Sequence, residues 1–129
     1  MCIRDRFKTD DLSVSEVASE SFRMQVNSAL ADSLGLCVFG RSVTDENLEL
    51  IANAINDAHG TDITPDALLR IGIDTLKHEA EFNRRAGFNE QDDELPAFFA
   101  SEALEPSGKK ARLYATEVRD AMHKLVFNS

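Results

Sequence analysis

Few residues in this sequence have both the type and the spacing that a metal site or a catalytic site needs. His78 and Glu79 begin like the His-Glu-x-x-His motif, in which two histidines one helical turn apart hold a zinc ion. The position of the second histidine is Phe82, so two imidazoles cannot face one metal. His59 and His123 are isolated in the sequence, which is typical of capping or surface residues. We therefore interpret all three histidines as structural.

The stretch from Asp32 to Val38 is the exception, because it places a carboxylate shortly before a thiol. It reads Asp-Ser-Leu-Gly-Leu-Cys-Val, and Gly35 lets the backbone turn sharply between the two groups. A thiolate is a metal ligand, but a lone cysteine such as Cys37 is more often a small buried apolar residue. Asp32 is equally explained as a surface carboxylate late in a helix. The residue types alone leave both interpretations open.

The remaining chemical motifs give little. Cys2 and Cys37 are far apart and form no Cys-x-x-Cys pair, so neither a disulfide framework nor a zinc site is expected. The sequence has no glycine-rich phosphate loop and no Gly-x-Ser-x-Gly elbow. We identify no self-contained active site and assign no catalytic residue.

The composition is that of one folded, acidic domain. The chain has 129 residues, 43% of them hydrophobic and 29% charged, with a formal net charge of -9. This charge argues against a nucleic-acid-binding surface, which needs clustered lysine and arginine. No apolar run reaches the roughly 18 residues that span a bilayer, and the first residues lack the apolar core of a signal peptide. We expect a cytoplasmic protein without a membrane span.

The element that must position Asp32 and Cys37 is a helix that begins after Ser13. Ser13 and Glu16 form a capping box, and apolar residues then recur every fourth position up to about Leu34. Gly35 can take the left-handed conformation that ends a helix. The pattern therefore predicts that Cys37 lies just past a helix end.

Further start and stop signals predict three more helices. Thr44 is the predicted N-cap of a helix that ends at Gly60, and Thr64 caps a longer one that runs toward Gly87, although Gly72 inside it is unfavourable. A final short helix is predicted over residues 117–125. The apolar segment 95–99 is expected to pack on the helices within an irregular C-terminal tail. No stretch alternates long enough for a strand, so the predicted fold class is all-α.

The motif Asp32 to Val38 resembles the pattern Asp-x-x-Gly-Leu-Cys-x of the aldehyde:ferredoxin oxidoreductase family. The similarity continues in the same order along the chain and covers roughly residues 22–100. The segments that carry it are residues 25–30, 64–72, 82–88 and 92–96. From Pro106 onward the sequence lacks the Tyr-Tyr and Gly-Trp ending common in the family, so the substrate stays open.

The resemblance implies a fold and a set of site residues. Residues 13–129 would form the helical C-terminal domain of the family. Residues 1–12 are interpreted as a poorly matched leader, which an artefact of gene calling would explain. Asp32, Gly35 and Leu36 would contact one pterin of a tungsten or molybdenum bis-pterin, and Cys37 would be one ligand of a [4Fe–4S] cluster. Backbone N–H groups of residues 35–38 would point at the thiolate.

The resemblance also implies an activity for a larger enzyme, which would oxidise aldehydes to carboxylic acids with ferredoxin as electron acceptor. A [4Fe–4S] cluster needs four thiolates as a rule, so the other ligands and the first pterin motif would come from an N-terminal portion upstream of Met1. This chain alone would be inactive. The resemblance is compatible with a homo-oligomer.

Two alternatives stay open beside the enzyme. A noncatalytic helical interaction domain would explain the acidity and the apolar helix faces, and a metal-free small-molecule binder would show an enclosed pocket made by this chain alone. The enzyme interpretation instead predicts apolar surface left exposed for the rest of the enzyme. The turn at Leu36 and Cys37 should lie on that surface.

Overall fold

The computed structural model describes residues 12–41, 45–111 and 113–127, with the backbone alone at residues 90 and 91. Over these ranges the chain forms five α-helices: α1 (Val14–Ser33), α2 (Leu48–His59), α3 (Pro65–Arg85), α4 (Phe98–Ser101) and α5 (Ala115–Phe127). Two short 3-10 helices lie at Val38–Gly40 and Glu90–Asp93. Extended pairing in the described ranges is limited to one isolated bridge between Leu104 and Lys109. The predicted all-α class is confirmed, whereas the predicted leader lies outside these ranges except for Leu12.

Helix α1 begins and ends where its sequence signals predict. The Ser13 hydroxyl accepts a hydrogen bond from the Glu16 amide at 3.3 Å, and the Glu16 carboxylate accepts one from the Ser13 amide at 2.8 Å. This capping box satisfies donors that have no partner within the helix. Leu34 is the C-cap, and Gly35 follows with a φ of 66°.

Helix α2 begins later than predicted, because Asn47 and not Thr44 precedes its first turn. Thr44 lies outside the described residues. The amide of Asp45 donates to the carbonyl of Arg41 at 2.9 Å, which closes a separate turn before the helix. Gly60 ends α2 with a φ of 65°, as predicted.

Helix α3 follows its prediction and also explains the glycine inside it. The Thr64 hydroxyl accepts from the Ala67 amide at 3.2 Å, and Gly87 follows the helix with a φ of 93°. A Cβ atom at Gly72 would lie 2.5 Å from the carbonyl oxygen of Val26. Among the described glycines, Gly72 is therefore the one at which α1 and α3 pack in close contact.

The core lies around α1, which packs chiefly against α3 and α5. Leu30 of α1 belongs to a buried cluster completed by α2 and α3, whose other members are Ile51, Ala52 and Leu68. Val126 of α5 is also buried. Burial of one such large side chain contributes about 1.5–3 kcal/mol, so this cluster fixes the C-terminal half of α1. None of the described helices is long and apolar enough to cross a membrane.

The C-terminal part departs from its prediction in two ways. Helix α5 is longer at both ends than the predicted 117–125. The segment 95–99, expected to pack on the helices, leaves Leu95, Phe98 and Phe99 about half exposed. The two phenylalanine rings stack on each other with centroids 4.4 Å apart, so part of their apolar contact is local.

Candidate ligand site at the end of helix α1

The end of α1 forms a compact turn that presents Asp32. The amide of Leu36 donates to the carbonyl of Ala31 at 2.8 Å, and that of Gly35 donates to the carbonyl of Asp32 at 3.2 Å. These two bonds define a Schellman motif, which requires the left-handed backbone that Gly35 provides. Leu36 packs against the core cluster, as the residue at this position of the motif usually does. The Asp32 side chain is exposed on the last turn of the helix.

Cys37 follows this motif as a free, exposed cysteine. It is the N-cap of the 3-10 helix Val38–Gly40, and its carbonyl accepts from the Gly40 amide at 2.9 Å. The amides of Cys37 and Val38 donate to no acceptor among the described residues. The amides of Gly35 and Leu36 are used inside the helix end, so the expectation that they point at the thiolate is wrong.

The structure thus brings together all four predicted site residues on one helix end. Asp32 and Cys37 are exposed, Gly35 sets the turn between them, and Leu36 is half-buried beneath it. Cys37 is accordingly not enclosed by the described part of the chain. This exposure agrees with the expectation that the turn at Leu36 and Cys37 lies at the surface, whereas the ligand role of Cys37 stays a prediction.

Three polar residues that the sequence analysis missed hold the chain beyond Cys37. The Arg41 guanidinium donates to the Ser28 hydroxyl at 2.9 Å and to both oxygens of Asp45 at 3.2 Å. All three are only partly exposed. The i, i+4 spacing of Arg41 and Asp45 is a signal that could have predicted their pair, but no local pattern indicates the contact with Ser28.

A depression beside Leu36 is too small to bind a cofactor. It is lined by residues of α1 and α2 and by Asp45, and its cavity volume is about 10 Å³, which is room for about one water molecule. This depression is not the enclosed pocket that a small-molecule binder would need.

The donor set at the helix end fits one corner of an iron–sulfur site. Within the described ranges, no three His, Cys, Asp or Glu side chains converge on a common point. An exposed thiol with neighbouring unbonded amides suits a thiolate that binds a cluster and accepts N–H···S hydrogen bonds. The chain contains two cysteines, so it cannot supply four thiolates by itself.

The comparison with protein families gives one match, and it covers almost the whole chain. The family model described as aldehyde ferredoxin oxidoreductase, domains 2 and 3, matches residues 4–127. The match extends beyond residues 22–100, over which the sequence resemblance was recognised. No curated protein and no solved structure matches the chain. Since the family model spans far more than half of the sequence, the chain belongs to the aldehyde ferredoxin oxidoreductase family and carries the region of its domains 2 and 3.

Proposed function

We propose that this chain is the helical part of a tungstopterin iron–sulfur oxidoreductase, to which it contributes one pterin-binding motif and one [4Fe–4S] ligand. The enzyme would oxidise an aldehyde with water to a carboxylic acid and pass two electrons to ferredoxin. The observation that carries this proposal is the end of α1, which exposes Asp32 and Cys37 on one turn in a member of this family. We place the enzyme in the cytoplasm, where thiols stay reduced.

Cys37 would hold the cluster through its thiolate. Its side chain is exposed, so other parts of the enzyme can bring three further thiolates to the same cluster. The amides of Cys37 and Val38, which have no acceptor among the described residues, can donate to the bound sulfur. Such hydrogen bonds stabilise the reduced form and raise the reduction potential.

Asp32 would orient the pterin. Its carboxylate can accept two parallel hydrogen bonds from the amino-pyrimidinone edge, which fixes a planar ligand in one orientation. Gly35 and Leu36 would shape the adjoining backbone, because the Schellman motif ties both of their amides to carbonyls of α1. One short turn would thus contact both cofactors, which suits electron transfer between them.

The chemistry itself belongs to the cofactors, since the tungsten–pterin group supplies the two-electron oxidation and the cluster supplies the path by which electrons leave. The metal of this group would be tungsten or molybdenum. The chain's own share is positioning, and no residue of it is assigned as a general acid or base. Sequence outside this chain would provide the first pterin motif and the remaining cysteines.

The test uses the full-length enzyme that contains this segment, purified without oxygen and assayed for aldehyde-dependent reduction of ferredoxin or a viologen dye. We expect Asp32→Asn to lower tungsten and pterin content while iron content stays high, because an amide cannot accept both hydrogen bonds. Asp57→Asn, at an exposed aspartate of α2, is the matched control and should keep both cofactors.

Two results would contradict the proposal. Full tungsten and pterin content in Asp32→Asn would remove the assigned role of that carboxylate. Aldehyde-dependent dye reduction by the purified 129-residue chain would contradict the expectation that this chain lacks a complete site. An enzyme without any iron or tungsten would instead favour the noncatalytic interaction domain, with which the exposure of Val38 and Phe39 also agrees.

A further inference from the structure

Cys37 lies in the segment from Leu36 to Arg41. The first residue of this segment, Leu36, is held in place by the end of α1. The Leu36 amide donates to the carbonyl of Ala31 at 2.8 Å, and the Leu36 side chain packs against the buried cluster that contains Leu30. Backbone and side chain are therefore both fixed at this point. This anchor places the start of the segment, but it constrains Cys37 from one side only.

A second anchor lies four residues beyond Cys37, at Arg41. Its Nη1 donates to the Ser28 hydroxyl of α1 at 2.9 Å, and its Nε lies 3.2 Å from both carboxylate oxygens of Asp45. The side chains of Arg41 and Asp45 are 25% and 26% exposed, so water screens this pair less than it screens the other described ion pairs of the molecule. Arg41 thus ties three segments together: α1, the 3-10 helix and the turn before α2.

Between the two anchors the chain has few constraints of its own. Cys37, Val38 and Phe39 are exposed, and their amides donate to no acceptor among the described residues. The Gly40 amide donates to the carbonyl of Cys37, and the Arg41 amide donates to the carbonyl of Val38. The position of the thiol therefore depends on the two ends of the segment.

We propose that Arg41 is a positioning residue for Cys37, which holds the thiolate ready for the cluster before the other ligands arrive. This inference rests on the proposed function. A planar guanidinium can donate in two directions at once, whereas a lysine ammonium at the same place reaches one partner well. Removal of a group that orients a metal ligand typically lowers the affinity for the metal by about 10–100-fold.

The first test uses the 129-residue chain without cofactors and measures amide hydrogen exchange by NMR. Arg41→Gln should accelerate exchange of the Gly40 amide by about tenfold or more. The hydrogen bond from this amide to the carbonyl of Cys37 should open more often once the Arg41 side chain no longer holds the end of the segment. Ser28→Ala should act in the same direction to a smaller extent. Arg84→Gln removes an exposed ion pair with Glu81 at the end of α3 and is the matched control. Unchanged exchange at Gly40 in Arg41→Gln would overturn the inference.

The second test uses the full-length enzyme and measures loss of iron to a chelator together with the EPR spectrum of the reduced cluster. Arg41→Gln should lose iron about tenfold faster and shift the EPR line shape, and Arg41→Lys should fall between Arg41→Gln and the wild type. The Cys37→Ser variant shows whether this inference fails alone or whether the proposed function fails with it. If Cys37→Ser loses the cluster and Arg41→Gln behaves as the wild type, the inference fails alone. If Cys37→Ser keeps the full cluster, the proposed function fails as well.

Discussion

Gly72 shows how one missing side chain determines the distance between two helices. It lies on α3 opposite the backbone of Val26, where a Cβ atom would lie 3.2 Å from the carbonyl carbon and closer still to the oxygen. The atoms that it would meet belong largely to the backbone of α1 and cannot rotate away. The same helix carries Asp32 at its end, so this contact also influences where the candidate site lies relative to α3.

We predict that Gly72→Ala destabilises the chain. An alanine would gain about 1 kcal/mol of helix propensity, but overpacking against a backbone atom costs typically 1–3 kcal/mol and needs a shift of α1. The net loss should be visible as a lower midpoint in urea unfolding followed by circular dichroism. Gly40→Ala is the matched control, because no atom lies within 4 Å of a Cβ atom there. A midpoint for Gly72→Ala at or above that of the wild type would show that the helices can separate at no cost.

Site residues that lie close together in the sequence could be predicted from it. A residue whose role depends on a contact with a distant part of the chain could not. Asp32, Gly35, Leu36 and Cys37 share one turn of chain, and the structure places them together. Arg41 was missed because its partner Ser28 lies 13 residues earlier, on a helix whose register only the packed core determines. The roles of the four site residues in binding cofactors stay predictions.

The C-terminal turn of α3 contains a carboxylate that pairs with two arginines. Glu81 accepts hydrogen bonds from Arg84 at 2.8 Å and from Arg85 at 2.6 Å. These two guanidinium groups hold the pKa of the Glu81 carboxyl at about 2, below its usual value of 4.5. The arginines also lie in the last turn, where positive charge interacts favourably with the helix dipole.

We predict a pH-dependent loss of helix at this end of α3. Because the pKa of Glu81 is lowered in the folded chain, its stabilising effect is present above pH 4.5 and disappears as the pH falls through about 2. An NMR titration of the Glu81 carboxyl carbon should give a midpoint near 2, and the Arg84 and Arg85 amides should lose helical shifts in the same range. Glu81→Gln should remove that change, whereas Glu79→Gln should preserve it. A Glu81 midpoint at 4.5 would contradict the arrangement.

The elements were predictable where their signals are local. Ser13 and Thr64 cap α1 and α3 through their own side chains, so three or four residues of sequence are enough. The start of α2 was not, because Arg41, which pairs with Asp45 in the preceding turn, is also held by Ser28 of α1, and no local pattern indicates that contact. Asn56 was also missed: its side chain accepts from the Ile63 amide at 2.7 Å and donates to the Ile63 carbonyl at 2.9 Å, which fixes the loop between α2 and α3.

At the scale of the whole molecule, large apolar side chains stay exposed on the described surface. Phe39, directly after the Cys37–Val38 pair, is 93% exposed. Phe82 at 71% and Phe88 at 62% are further examples at the end of α3. Exposed apolar surface of this kind marks sites that another surface covers. This agrees with the expectation that the turn at Cys37 faces other parts of the enzyme.

We predict that Phe39 is buried in the full-length enzyme. Phe39→Ser should leave the thermal midpoint of the 129-residue chain unchanged, because the ring makes few contacts there, but should lower the yield of cofactor-loaded enzyme. Leu104→Ser is the matched control, since Leu104 is 61% exposed and lies far along the chain from the candidate site. An equal loss of loaded enzyme in both variants would mean that the surface covered by the rest of the enzyme is not centred on the Cys37 turn.

The most direct test of the central claim is the cluster content of the full-length enzyme with Cys37→Ser. Iron and acid-labile sulfide are measured per chain, and the dithionite-reduced protein is examined by low-temperature EPR. Cys2→Ser, the other cysteine of the chain, is the control. We predict that Cys37→Ser loses iron and the [4Fe–4S] signal, whereas Cys2→Ser keeps both. A full iron content with an unchanged EPR spectrum in Cys37→Ser would show that Cys37 is not a cluster ligand.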